Sequence, residues 1–144
     1  MSVDESPCVF CALLDGRLSG RWVAREDAAA AFLPLPDTSL APGHTLVVPT
    51  AHAVGVHDAE PQDLAAVISL VRRVARAMRS GLGATGVNIL NASGPGSDQS
   101  VPHLHFHVIP RWEGDGFTTW PCLPERSNVS VEGPPEVVLA AALA

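Results

Sequence analysis

One seven-residue run, His103-Leu104-His105-Phe106-His107-Val108-Ile109, constrains the fold more than any other part of the chain. Imidazoles alternate with apolar side chains, and alternation with a period of two is the signature of a half-buried β-strand. The run is read as one strand closed by Pro110, with Leu104, Phe106 and Val108 in the core and His103, His105 and His107 together on the other face. Half of the chain's six histidines fall in this one run, which argues against a solvent-facing accident. Residues two apart on a strand can share a ligand or a metal. Two chemistries are therefore open here: transfer at phosphorus, or a three-histidine zinc site that activates water.

The flanking sequence supplies a sheet for that strand. Trp22-Val23-Ala24 and Ala29 to Leu33, separated by Arg25-Glu26-Asp27, predict a hairpin, and Thr45-Leu46-Val47-Val48 predicts a buried strand stopped by Pro49. The Pro-rich stretch from Pro34 to Gly43 is a loop, because its prolines lack ladder donors. From Asp58 onward the period changes to that of a helix. Pro61 suits a first turn, and Leu64, Val67, Ile68, Val71, Val74, Ala75 and Met78 make a buried stripe. Arg72, Arg73, Arg76 and Arg79 read as the solvated side, and Gly81 and Gly83 end the helix. Val87 to Asn91 is a further strand, followed by a Gly-, Ser- and Pro-rich loop from Ala92 to Asp98. This order predicts an α+β domain whose antiparallel sheet is covered by one long helix.

At 144 residues and 47% hydrophobic, the chain has material for one core. The expectation is a single domain over 1–144, with 112–144 a tail containing prolines and aromatic residues and finishing in a short helix from Pro134 or Pro135. A formal net charge of −6 offers no basic surface for nucleic acid. All nine basic residues are arginine, so a lysine Schiff base or P-loop lysine is excluded within this sequence. The opening stretch is acidic and does not read as a secretory signal, and the most apolar helical segment is interrupted by arginines. These features predict a cytoplasmic protein that binds no membrane. Trp112, Phe117 and Trp120 predict a homodimer, since three large aromatic residues after the last strand are hard for a small monomer to cover.

The histidine run, preceded by Gln99-Ser100-Val101 and followed by Pro110-Arg111, resembles the histidine-triad (HIT) family. So do Gly43-His44-Thr45-Leu46-Val47-Val48-Pro49, the helix after it, and Asn88-Ile89-Leu90-Asn91. The resemblance spans Cys8 to about Arg111. It implies a usually dimeric α+β enzyme that hydrolyses or transfers nucleoside phosphates, with the middle histidine, His105, forming a nucleotidyl-histidine that water then cleaves. On this resemblance His107 donates to a phosphate oxygen or to the leaving group, and Ser100 adds a hydroxyl donor. Gln99 and Asn91 match positions that contact phosphate and ribose, and His44 matches a histidine that supports the triad. Two departures stand out. The family's ribose-binding aspartate directly follows a Phe-Leu pair, whereas here Phe32-Leu33 is followed by Pro34-Leu35-Pro36, leaving Asp37 as its shifted replacement or as an ordinary turn residue. Asp98 stands before Gln99 where glycine is common.

Cys8 and Cys11 have the two-residue spacing that lets both thiolates reach one zinc ion. The resemblance implies that His52 and His103 complete a closed, structural Cys2His2 site, against the alternative of reduced, metal-free thiols. Cys122 and His57 receive no role. Two other functional classes remain open beside the enzyme: a nucleotide-binding regulatory protein with little turnover, and a zinc-dependent hydrolase using the three histidines.

Overall fold

The computed structural model describes residues 8–122 and 125–144. The acidic stretch ahead of Cys8 therefore lies outside the described residues. A short helix α1 (Val9–Leu14) leads into the hairpin β1 (Arg21–Arg25) and β2 (Ala29–Leu33), a 3-10 turn at Pro36–Thr38, and β3 (Thr45–Pro49). Then come the long helix α2 (Pro61–Leu82), β4 (Gly86–Leu90), β5 (Phe106–Arg111) and a terminal helix α3 (Pro135–Leu143). The five strands form one sheet in the order β1-β2-β3-β5-β4, with every neighbouring pair antiparallel.

Two apolar layers sandwich this sheet. On one face, Val67, Leu70, Val71, Val74 and Met78 of α2 meet Ala29, Ala31, Val47 and Val108. The run of alanines in β2 gives α2 a smooth surface to approach, since small side chains leave room for its larger ones. On the opposite face Phe10 of α1 joins Ala30, Phe32, Leu46 and Val48. Phe10 also meets the rings of His103 and His105 edge-on, with centroids 5.8 and 5.1 Å away. The sheet thus carries α2 on one side and the imidazoles on the other. Gly83, with φ at 69°, closes α2 in the left-handed conformation that favours glycine.

The structure corrects several expectations. β5 begins at Phe106, so His103 and His105 precede the strand. Alternation survives there because the segment is held differently: Leu104 N–H donates to the Ala53 carbonyl at 2.7 Å and His103 N–H to that of Val101 at 2.8 Å. Pro110 lies inside β5, beyond the last β3 pair of Thr45 with Val108, where the strand is paired on one side alone and proline is tolerated. In α2 the buried stripe includes Leu70, whereas Ile68 is exposed. The tail aromatics are largely held by their own subunit. Trp112 packs against the α2 core and donates its indole N–H to the Leu82 carbonyl at 3.2 Å, and Phe117 stacks on Arg111. Trp120 alone of the three stays exposed, which removes the aromatic tail as an argument for a dimer.

Candidate functional site

His105 and His107 stand side by side with ring centroids 5.0 Å apart, and their hydrogen bonds assign each tautomer. A carbonyl only accepts, so the 2.7 Å contact from His105 Nδ1 to the His103 carbonyl places a proton on Nδ1 and leaves the Nε2 lone pair bare. His44 works the other way. Leu40 N–H donates to its Nδ1 at 3.0 Å, which leaves the proton on Nε2, and Nε2 donates to His107 Nδ1 at 3.0 Å. His107 therefore carries its own proton on Nε2. The row presents a bare ring nitrogen on His105 next to an N–H donor on His107.

Burial keeps these rings neutral. It lowers the pKa of His44 and of His105, the latter opposed by the bond to the His103 carbonyl. His107 is lowered to about 4, first by burial and then by the neighbouring His105 and His44. A neutral imidazole is a competent nucleophile and a neutral N–H a competent donor at ordinary pH.

Around the row runs the loop that follows β4. Asn91 Nδ2 donates to the His105 carbonyl at 2.9 Å. Gln99 Oε1 accepts Gly94 N–H at 3.2 Å and its Nε2 donates to the Val54 carbonyl at 2.6 Å, so this amide shapes the loop. Ser100 is exposed beside it, and Asp98 takes a positive φ of 66°, a strained conformation for any residue with a side chain. Asp37 is exposed on the 3-10 turn.

A second cluster lies immediately before the row. The ligand atoms of Cys8, Cys11, His52 and His103 are all within 4.8 Å of one another. His103 Nδ1 is 3.4 Å from Cys8 Sγ, 3.6 Å from Cys11 Sγ and 3.1 Å from His52 Nδ1, and Cys11 Sγ is 3.3 Å from His52 Nδ1. A tetrahedral zinc, with bonds of about 2.3 Å to sulfur and about 2.0 Å to nitrogen, sets its donors roughly 3.3–3.8 Å apart. The donor set fits. His103 Nε2 donates to the Pro49 carbonyl at 3.0 Å, which leaves the Nδ1 lone pair facing the cluster, as in metal-ligating histidines generally. Without a cation, burial and the neighbouring Cys8 push the Cys11 thiol up to about 11. Positive charge at the centre would reverse that shift.

Residues 19–114 match the family model described as the HIT domain. The chain belongs to the HIT family. Among its relatives, an adenosine 5'-monophosphoramidase of Schizosaccharomyces pombe is 32% identical over 124 residues, covering 83% of this chain and 89% of that protein. A zinc-bound histidine-triad protein of Mycobacterium smegmatis, known from a crystal structure, is 35% identical with a TM-score of 0.73, over 83% of this chain and 84% of that one. A HIT-family structure from Bacillus subtilis is 30% identical with a TM-score of 0.74, over 96% of both chains. Cys8 and Cys11 lie ahead of the matched HIT domain, and α1 brings them to it.

The geometry thus divides the sequence-identified residues into two groups two residues apart. His44, His105, His107 and Asn91 gather at one, and Cys8, Cys11, His52 and His103 at the other. His103 faces the thiols, so the three alternating histidines do not converge on a common metal position. Ser93 and Leu40, which hydrogen-bond Asn91 and His44 directly, were not singled out from the sequence: a serine in a turn is too common to signal it, and Leu40 acts through its backbone N–H.

Proposed function

We propose that the chain hydrolyses or transfers nucleoside monophosphate groups by way of a nucleotidyl-histidine on His105, and the observation that carries this reading is the opposed tautomers of His105 and His107. The bare Nε2 of His105 attacks the α-phosphorus and an N–P bond forms. As the phosphorus–leaving-group bond breaks, the leaving group takes the Nε2 proton of His107. The His105 Nδ1–H bond to the His103 carbonyl stabilises the positive charge that the ring acquires. Water then attacks phosphorus and breaks the N–P bond, with the His107–His44 pair handling its proton. The name of the Schizosaccharomyces pombe relative favours adenosine phosphoramidates as the substrate class, ahead of dinucleoside polyphosphates.

In this reading Ser100 donates its hydroxyl to a phosphate oxygen, and Gln99 holds the loop that presents it. Asn91 and Asp37 are assigned to the nucleotide's phosphate and ribose side. Zinc, held by Cys8, Cys11, His52 and His103, supplies a structural crosslink between α1 and the sheet. The support is the donor spacing together with the zinc-bound relative.

A homodimer completes the proposal, on different grounds from the tail. β4 is an edge strand, and Ile89 on it and Ile68 on α2 are each 49% exposed in a groove whose apolar floor includes Val71, Ala75 and Val87 and whose lining also holds Arg72, Arg76 and Arg79. An exposed edge with apolar flanks invites pairing, and a two-fold partner covers the β4 edge of both copies at once, leaving β1 as the free edge of each. Light scattering of wild type and an Ile89→Lys variant tests it: the variant is expected to be monomeric, and a monomeric wild type at working concentration would overturn the dimer.

The reaction itself is tested by incubating the protein briefly with adenosine 5'-phosphoramidate, quenching and measuring intact mass. An AMP adduct that maps to His105 is expected. Turnover without any adduct on His105 would sink the mechanism, and stoichiometric binding without turnover would favour a regulatory nucleotide-binding protein.

A further inference from the structure

Asn91 is an exposed side chain whose amide is nonetheless held at both ends. The β4–β5 ladder ends at the pair Leu90 with His107, and the Asn91 amide continues it by donating Nδ2–H to the His105 carbonyl at 2.9 Å. That carbonyl belongs to the peptide leading into β5, so holding it holds the backbone on which the His105 ring is mounted. An amide turned end for end would present oxygen to oxygen there, so the His105 carbonyl selects which end faces it but leaves the far end of the amide free to swing.

Ser93 secures that far end. Its Oγ accepts Val56 N–H at 3.0 Å, which leaves its single hydroxyl proton for Asn91 Oδ1 at 2.7 Å. With Oδ1 on Ser93 and Nδ2 on the His105 carbonyl, the amide is held at both ends. The donor from Val56 is itself fixed, because the Asp58 carboxylate accepts Val54 N–H at 3.1 Å and Gly55 N–H at 2.8 Å and so locks the turn. The packing is equally close: a Cβ on Gly55 would come within 2.6 Å of Ser93 Cβ. Residue 55 has no room for a side chain unless Ser93 moves.

We propose that Ser93 is a positioning residue for the reaction at His105, acting through the Asn91 amide and seated by the turn from Val54 to Asp58. This rests on the reading of His105 as nucleophile. Two substitutions attack the relay at different points. Ser93→Ala removes the hydroxyl, whereas Gly55→Ala keeps it and displaces it.

The test measures the rate of AMP-adduct formation from adenosine 5'-phosphoramidate and, in the ligand-free protein, the solvent exchange of the Asn91 side-chain amide protons by NMR. Ser93→Ala is expected to slow adduct formation about tenfold, as loss of one orienting hydrogen bond does, with KM changed less than twofold. Protection of the Asn91 amide should be lost in the same variant. Gly55→Ala should reproduce both effects, and the double variant should be no slower than Ser93→Ala alone. Unchanged protection, or an unchanged rate with protection lost, would overturn the proposal. Should the wild type form no adduct, the functional reading fails by itself, and loss or retention of Asn91 protection in Ser93→Ala then decides the orienting role.

Discussion

His103 and His105 are the same residue type, two positions apart, almost wholly buried at 0% and 3% exposure, and each donates one ring proton to a backbone carbonyl. Their chemistry differs because the proton sits on opposite nitrogens. His103 gives Nε2–H to Pro49 and turns Nδ1 toward two thiols and His52; His105 gives Nδ1–H to His103 and leaves Nε2 bare. A carbonyl placed on one side of a ring or the other decides which nitrogen keeps its lone pair, and on that difference rest the proposed roles of His103 as ligand and His105 as nucleophile.

Exchanging each ring for a neutral amide breaks the comparison most sharply. His105→Asn is expected to lower turnover by about four orders of magnitude or more, since no adjacent group supplies a nucleophile, while zinc content stays that of wild type. Near-normal turnover, by steady-state assay with intact-mass control, would refute the assignment. His103→Asn should do the reverse. It removes a metal ligand, and a stability loss of about 3 kcal/mol, roughly 10 °C in melting temperature, is expected together with loss of zinc by elemental analysis. A wild-type protein that melts identically with and without chelator would contradict the structural role of the cluster.

His44 sharpens the contrast within the row itself. His44→Ala removes the donor that holds His107 in its tautomer, and turnover should fall about 10- to 100-fold with metal content and melting temperature little changed. A variant as fast as wild type would free His107 from its partner. The smallest effect concerns pH. His107 is held at about 4, mainly by burial, whereas an unfolded histidine titrates near 6.5. Between those values the unfolded chain binds a proton that the folded one does not, so stability is fully present above about 6.5 and falls as pH drops toward about 4. Melting curves across that window should be flatter for His107→Asn than for wild type, and equal slopes would assign the acid sensitivity elsewhere.

Much of this architecture is written in periodicity. The stripe from Leu64 to Met78 revealed α2, and the alternation from His103 to Val108 correctly sorted faces even though the ladder starts only at Phe106. Alternation reports which way side chains face, and a segment that bends at His103 and is pinned at Leu104 by Ala53 looks the same in sequence as one paired in a ladder. Helix α1 was not legible. Six residues, Val9–Leu14, are too few to show a period, and the Cys8 thiol, which accepts Cys11 N–H at 3.4 Å, is not a usual cap. Proton placement on the rings was equally out of reach, because it depends on Leu40, Pro49 and the His103 carbonyl, backbone groups that carry no residue-type signal. The exposure of Ile68 escaped for a related reason: helical spacing places it near the buried stripe, but β4 leaves a groove there.

The interval between His103 and His105 contains one residue, Leu104, whose side chain is fully buried and whose N–H is bound to Ala53. Inserting or deleting a residue there would reverse every face that follows, sending imidazoles into the α2 core and Phe106 out of it. Changes of length across a lineage must therefore accumulate elsewhere. The tip of the preceding loop, residues 95–98, lies outside that interval and past Ser93 and Gly94, which are tied by hydrogen bonds, and with Gly96 at positive φ it is the place to take them. The spacing of His103 and His105 is thus a fixed ruler, and variation among descendants of this sequence should be read from the tip of the loop before it.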